Sequence, residues 1–152
     1  MRVLNVSNHP LSKEQRGMIR DFYRLPSVDV VNLPEDLKKR FSNLPPSEKE
    51  REELARAIVA WAKDTVGGTI YAHLDGEAHF VLILLSVFWE EVEDGEFFKF
   101  FSRRKVQETV LPSGEVRKVS IFRPVQILTY PIVRKENLGC GRHIPIRKRR
   151  RQ

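Results

Sequence analysis

The chain has 152 residues, 41% of them hydrophobic and 31% charged, with 27 Lys and Arg against 20 Asp and Glu for a formal charge of +7. That length predicts one domain able to bury about two-thirds of its unfolded surface, and a single cysteine, Cys140, excludes an internal disulfide and a cysteine-based zinc site and fits a reducing compartment. The basic excess is local: residues 134–152 hold eight basic side chains against Glu136, which leaves residues 1–133 with 19 of each sign, so a neutral folded body over 1–133 and a flexible basic tail over 134–152 are expected.

Arg2 to Val6 (RVLNV) reads as a central strand covered on both faces. No charged-apolar leader precedes it, which together with the short apolar run at Val81 to Trp89 leads us to expect a cytoplasmic protein without a membrane span. Pro10 forces its predecessor out of the helical region, so Ser7, Asn8 and His9 form a loop at the carboxyl end of this strand. Ser12 then caps a helix from Lys13 to Tyr23, with Gln15 as its capping-box partner. A hydroxyl, an amide and an imidazole in such a loop suit phosphate or ribose, and the plainer reading is that they satisfy turn amides.

Val28 to Asn32 is a second short strand, followed by a short helix from Glu35 to Arg40 and a break at Phe41 to Pro46 (FSNLPP). Ser47 opens a long helix to about Asp64 with Leu54, Ile58 and Trp61 on one face; Glu48, Glu50, Glu52 and Glu53 read as its solvated first turns. After Gly67-Gly68, Thr69 to Leu74 is a β-branched and aromatic strand that stops at Asp75-Gly76 and passes directly into an apolar helix over Glu77 to Glu91. That junction is where α/β proteins place ligands, and in its structural reading Asp75 is simply the helix N-cap. His73 and His79 flank it, more readily as core and capping groups than as metal ligands, so no metal site is expected.

Phe97 to Ser102 (FFKFFS) is an aromatic strand expected to be buried on both faces and to end in Arg103-Arg104-Lys105. Cations fixed at the end of a strand suit a polyanion, unless they pair with Glu90, Glu91 and Glu93. Val106 to Leu111 and Glu115 to Phe122 flank the Pro112-Ser113-Gly114 turn of a hairpin exposing Glu108 and Arg117, and Gln126 to Tyr130 offers one more strand. The order predicts an α/β fold, a small three-layer sandwich whose sheet is mostly parallel with an antiparallel C-terminal hairpin. Neither GxGxxG nor a GxxxxGK[ST] loop is present, which disfavours dinucleotide enzymes and P-loop NTPases; no cofactor is expected.

The run LNVSNHPLSKEQ, then VVNLPEDLKKRFSNLPPSEKE, then a strand into DGE, then SRRKVQETVLPSGEVRKVSIF resembles a family of small CRISPR-associated proteins. These are Rossmann-like relatives of the sensor domains of type III systems, several groups of which are ring nucleases. The likeness covers residues 3 to about 130 in order and leaves the tail outside. It implies a homodimer that binds a cyclic oligoadenylate, cyclic tetra-adenylate first, across its two-fold axis and cuts it without metal. Carried onto this chain, it puts Ser7, Asn8 and His9 at the ligand together with Asp75, Gly76 and Glu77. Arg104 and Glu108 stand at the cationic strand end, with Ser102, Arg103 and Lys105 beside them. Two departures stand out: Asn8 separates a Ser-His pair that is usually adjacent, and FFKFFS, ending in Ser102, replaces a threonine-rich segment.

The chemistry asks for a ribose 2′-OH held in line with its phosphorus and for cations to meet the developing phosphorane charge. Arg104 with Arg103 or Lys105 would supply the cations, and His9 or Glu108 the base; Asp75 and Glu77 are left to positioning. The competing expectations are a non-catalytic regulator that binds the ring, an accessory protein whose Arg147 to Arg151 tail touches nucleic acid weakly, and a purely structural module.

Overall fold

The computed structural model describes residues 1–131; the basic tail and Cys140 lie outside them. Nine elements follow one another: β1 (Arg2–Val6), α1 (Lys13–Tyr23), β2 (Asp29–Asn32), α2 (Glu35–Ser42), α3 (Glu48–Thr65), β3 (Ile70–Leu74), α4 (Ala78–Glu91), β4 (Gly95–Val110) and β5 (Val116–Thr129). The strands make one sheet in the order β2-β1-β3-β4-β5, parallel throughout except for the antiparallel β4–β5 pair. This is the three-layer Rossmann-like sandwich that the element order predicts.

Three of the four helices begin at a side-chain cap, and α2 begins after Pro34 without one. Ser12 Oγ accepts from the Gln15 amide at 3.1 Å while Gln15 Oε1 takes the Ser12 amide at 2.9 Å, a complete capping box for α1. Ser47 takes the Glu50 amide and opens α3. Asp75 does not cap α4, contrary to one reading of the sequence: the N-cap is Glu77, whose carboxylate accepts from the His79 amide at 2.9 Å. Two more residues of the segment are therefore free to turn before the helix begins, and Asp75 stays at the sheet edge.

Two hydrophobic layers sandwich the sheet. On one face Leu4, Val6, Ala72 and Leu74 meet Leu54 and Ile58 of α3 and Phe80, Leu84 and Phe88 of α4. On the other, Val3, Phe98 and Phe100 pack with Ile19 of α1. Removing an apolar side chain of this size from water contributes roughly 1.5–3 kcal/mol, and α4 commits six such residues. No helix among the described residues is long and apolar enough to cross a membrane.

The hairpin departs from expectation. Arg103 to Lys105 do not end a strand: β4 runs on through them to Val110, and Gln126 to Thr129 belongs to β5 and forms no separate strand. Cross-strand pairing continues from Phe98↔Thr129 to Val110↔Val116, interrupted once by an irregularity beside Phe101 and Ser102. The three phenylalanines Phe97, Phe98 and Phe100 are buried, but Phe101 is 45% exposed, because the strand leaves the core at that point. Beyond it the two strands form an arm exposed almost throughout.

Candidate functional site at the carboxyl edge

From β1 the chain crosses to β2 on one side, and β3 then joins β1 on the other. The strand order thus reverses between β1 and β3, and the crevice above the carboxyl ends of those two strands is the position at which open α/β sheets bind ligands. Val6 and Leu74 are register partners there, and the Asp75 amide donates to the Val6 carbonyl at 3.1 Å. The Ser7-Asn8-His9 bend and the Asp75-Gly76 turn therefore lie side by side, as the end-of-strand reading of both segments anticipates.

Beneath the bend is a buried polar network that sequence reading does not assemble. Asn5, 1% exposed, donates through Nδ2 to the His9 carbonyl at 2.7 Å and to Asn32 Oδ1 at 2.9 Å. Both of those partners are acceptors, which fixes the amide orientation and leaves Asn5 Oδ1 to accept. It sits 2.8 Å from Ser7 Oγ and 2.9 Å from His73 Nδ1, so His73 carries its proton on Nδ1. The Ser7 hydroxyl lies 2.9 Å from the His9 carbonyl and accepts from the His9 amide at 3.3 Å. Asn8 Oδ1 accepts from Ser42 Oγ at 2.7 Å, tying the bend to the end of α2. The His9 carbonyl and amide are thereby held from below while His9 itself is exposed.

His73 is neutral at physiological pH. Burial pushes its pKa down to about 4, with Lys99 adding to the shift and Asp75 opposing it. Its ring packs against both Phe98 and Phe100, at centroid distances of 5.8 and 5.1 Å. It is a core group that holds the site from beneath and not a ligand-facing one, while His79, on the first turn of α4, lies 3.1 Å from Arg51 Nη1. No group of three or more His, Cys, Asp or Glu that would hold a metal ion occurs among the described residues.

The Asp75 carboxylate is 3.9 Å from Lys99 Nζ, and both side chains remain about half exposed at the rim. Lys99 is a rim cation that composition alone does not flag; its signal is a lone lysine between pairs of phenylalanines, which must leave the core where the strand crosses the edge. Glu77 faces away toward Arg51, whose hydrogen bond holds its carboxyl below the usual range. Gly76 is needed for close approach, since a Cβ there would meet Phe41 Cζ at 2.6 Å. The Tyr130 hydroxyl donates to the Leu74 carbonyl at 3.0 Å and completes the edge.

Not all the sequence candidates meet at this edge. His73 pairs with Phe98, so Arg103 stands about three residues, roughly 10 Å, above the level of Asp75. Arg103 and Lys105 share one face of the arm with Arg123, the partner of Arg103 in register. Ser102 and Arg104 are on the opposite face, where Arg104 Nε donates to Ser120 Oγ at 2.9 Å. Glu108 lies a further four residues out, 3.4 Å from Lys118, and is not beside His9. The acids Glu90 and Glu91 pair with Arg56, not with the arm. Two clefts of about 460 and 330 Å³ elsewhere are lined by Glu91, Glu93 and Asp94, and by Glu48, Glu52 and Glu90. Their acidity makes them poor hosts for an anion.

A family model described as that of the uncharacterized protein MJ1673 family matches residues 1–126. No curated protein and no solved structure matches the chain.

Proposed function

For a chain that belongs to the MJ1673 family, we propose binding of a cyclic oligoadenylate over the carboxyl edge and its cleavage by 2′-OH attack. The observation that carries this reading is the pairing of the braced Ser7-Asn8-His9 bend with the Asp75 turn at the strand-order reversal, below a strand bearing Lys99, Arg103, Arg104 and Lys105. Backbone and side-chain donors of the bend suit ribose and phosphate, and Asp75 suits an adenine amino group. In the cleavage step His9 takes the proton from a ribose 2′-OH as its oxygen bonds to the adjacent phosphorus. The P–O5′ bond breaks, the 5′-oxygen regains the proton, and a 2′,3′-cyclic phosphate is left. Lys99 at the rim stabilises the phosphorane charge. Glu108 is too far along the arm to share the proton transfer with His9 in the same copy.

Incubation with cyclic tetra-adenylate in EDTA, followed by chromatography, should yield linear product. The ring should also raise the melting temperature by mass action. His9→Ala should lose turnover, in the range of a hundred- to ten-thousandfold, and keep the melting shift. A shift without product in the parent protein reduces the activity to ring binding and regulation. No shift with tri-, tetra- or hexa-adenylate rings rejects the reading.

A second copy across the arm fits the same proposal. Of the twelve exposed large hydrophobic residues among those described, nine lie between Phe101 and Leu128, and a two-stranded hairpin is marginal alone in water. Register places Val106, Val110, Val116 and Phe122 on one face, each more than half exposed. Together they present about 400 Å² of apolar surface, close to the nonpolar share of the roughly 800 Å² per partner that a stable interface buries. Sedimentation should show a dimer at micromolar concentration that Phe122→Glu converts to monomer; a parent protein that is monomeric at those concentrations excludes this interface.

A further inference from the structure

Between the rungs Arg103↔Arg123 and Thr109↔Arg117 the other face of the arm carries Arg103, Lys105, Arg117 and Arg123 and no acidic residue. Arg103 is the direct register partner of Arg123, an arrangement of like charges that destabilises an antiparallel pair. Among the described residues, none of these four cations has a carboxylate within ion-pair distance, whereas on the apolar face Lys118 has Glu108 at 3.4 Å and Arg104 is bonded to Ser120. Unrelieved repulsion on a fully exposed ribbon is a local conflict that a bound polyanion would resolve.

We propose that this face is a binding track for the phosphate backbone of duplex DNA, independent of what the carboxyl edge binds. The cations span the rungs from Arg103 to Thr109, about 20 Å along the ribbon, which suits successive phosphates better than one compact anion. The remaining positions, Gln107, Thr109, Val119 and Ile121, include no aromatic platform, so the base stacking that typifies single-strand binders has no support here. A two-stranded ribbon fits the major groove of B-form DNA, whereas that groove in A-form RNA is too deep and narrow for side chains to read. Contact through four cations makes binding nearly sequence-independent and steeply salt-dependent, weakening by about a hundredfold between 50 and 200 mM salt from this face alone.

The test is fluorescence anisotropy of the full chain with a short mixed-sequence DNA duplex, the matching RNA duplex and the single strand, across a salt series. Arg117→Gln with Arg123→Gln should make the log–log salt slope on DNA shallower by about 1.8, and the charge-conserving Arg117→Lys with Arg123→Lys should restore it. Both positions are exposed, and an unchanged melting temperature shows that the fold survives. An unchanged slope in the glutamine variant, no binding at low salt, or tighter binding of the single strand or RNA duplex overturns the proposal. Failure of the ring-binding assay leaves it untouched, because neither substituted arginine belongs to the carboxyl edge.

Discussion

Asn5→Ala is expected to lower the unfolding free energy by about 2–4 kcal/mol, the cost of stranding the buried Ser7 and His73 groups and losing two half-buried hydrogen bonds. Asn5 engages the His9 carbonyl, Asn32 Oδ1, Ser7 Oγ and His73 Nδ1. Alanine removes all four contacts; water reaches the exposed Asn32 and His9 but not the buried Ser7 and His73. A single stranded group typically costs about 1–3 kcal/mol; the sum is reduced because the Ser7 hydroxyl retains the His9 carbonyl as an alternative acceptor. Denaturant unfolding measures the loss, and a change below 1 kcal/mol would mean that the network is not satisfied as described. The same substitution should weaken ring binding more than a core truncation of equal cost. Asn5 holds the backbone of the His9 bend directly, whereas Phe88→Ala, for example, removes packing between α4 and Phe97 of β4.

The fold is legible where one force decides it. Ser12 with Gln15, the double proline of FSNLPP and the β-branched runs of β1 to β3 each act within a few residues, so their elements appear within two residues of where the chain predicts them, α2 running on to Ser42 instead of Arg40. The arm is less legible because its length depends on pairing across the turn, not on burial. Phe101 looks like a core residue and is half exposed, and Arg103 to Lys105 look like a terminus and sit mid-strand. Alternation reports which side chains share a face but not where the rest of the sheet ends.

The site divides along the same line. Ser7, Asn8, His9 and Asp75 follow from strand ends, since a loop at the carboxyl edge of a parallel strand has nowhere else to go. Asn5 and His73 are 68 residues apart and become partners only through the β1–β3 register. Each alone reads as an isolated polar residue in an apolar strand. Glu108 shows the converse error of distance: four residues from Arg104 is one turn on a helix but about 13 Å on a strand.

Acidification should expose His73 as the group coupling this network to stability. Its folded pKa of about 4 lies below the unfolded value of 6.5, so the unfolded chain takes up the proton first as pH falls. The contribution is fully present above pH 6.5, declines between pH 6.5 and 4, and levels off below. The difference of about 2.5 units corresponds to about 3 kcal/mol, or a fall in melting temperature on the order of 6–12 °C for a chain of this size. The groups facing the ring set the direction: Phe98 and Phe100 desolvate it, Lys99 disfavours its charge and Asp75 favours it. Carboxylates such as Glu77, held low by Arg51, lose their own contribution at still lower pH, so the raw curve combines several groups. His73→Asn isolates the histidine, because asparagine offers a neutral donor toward Asn5 Oδ1 and does not titrate. Across pH 6.5 to 4 its stability curve should be flatter than that of the parent by the full histidine contribution. Parallel curves would show that His73 reaches water and protonates freely in the folded state, and the braced bend above it would then lack its buried support.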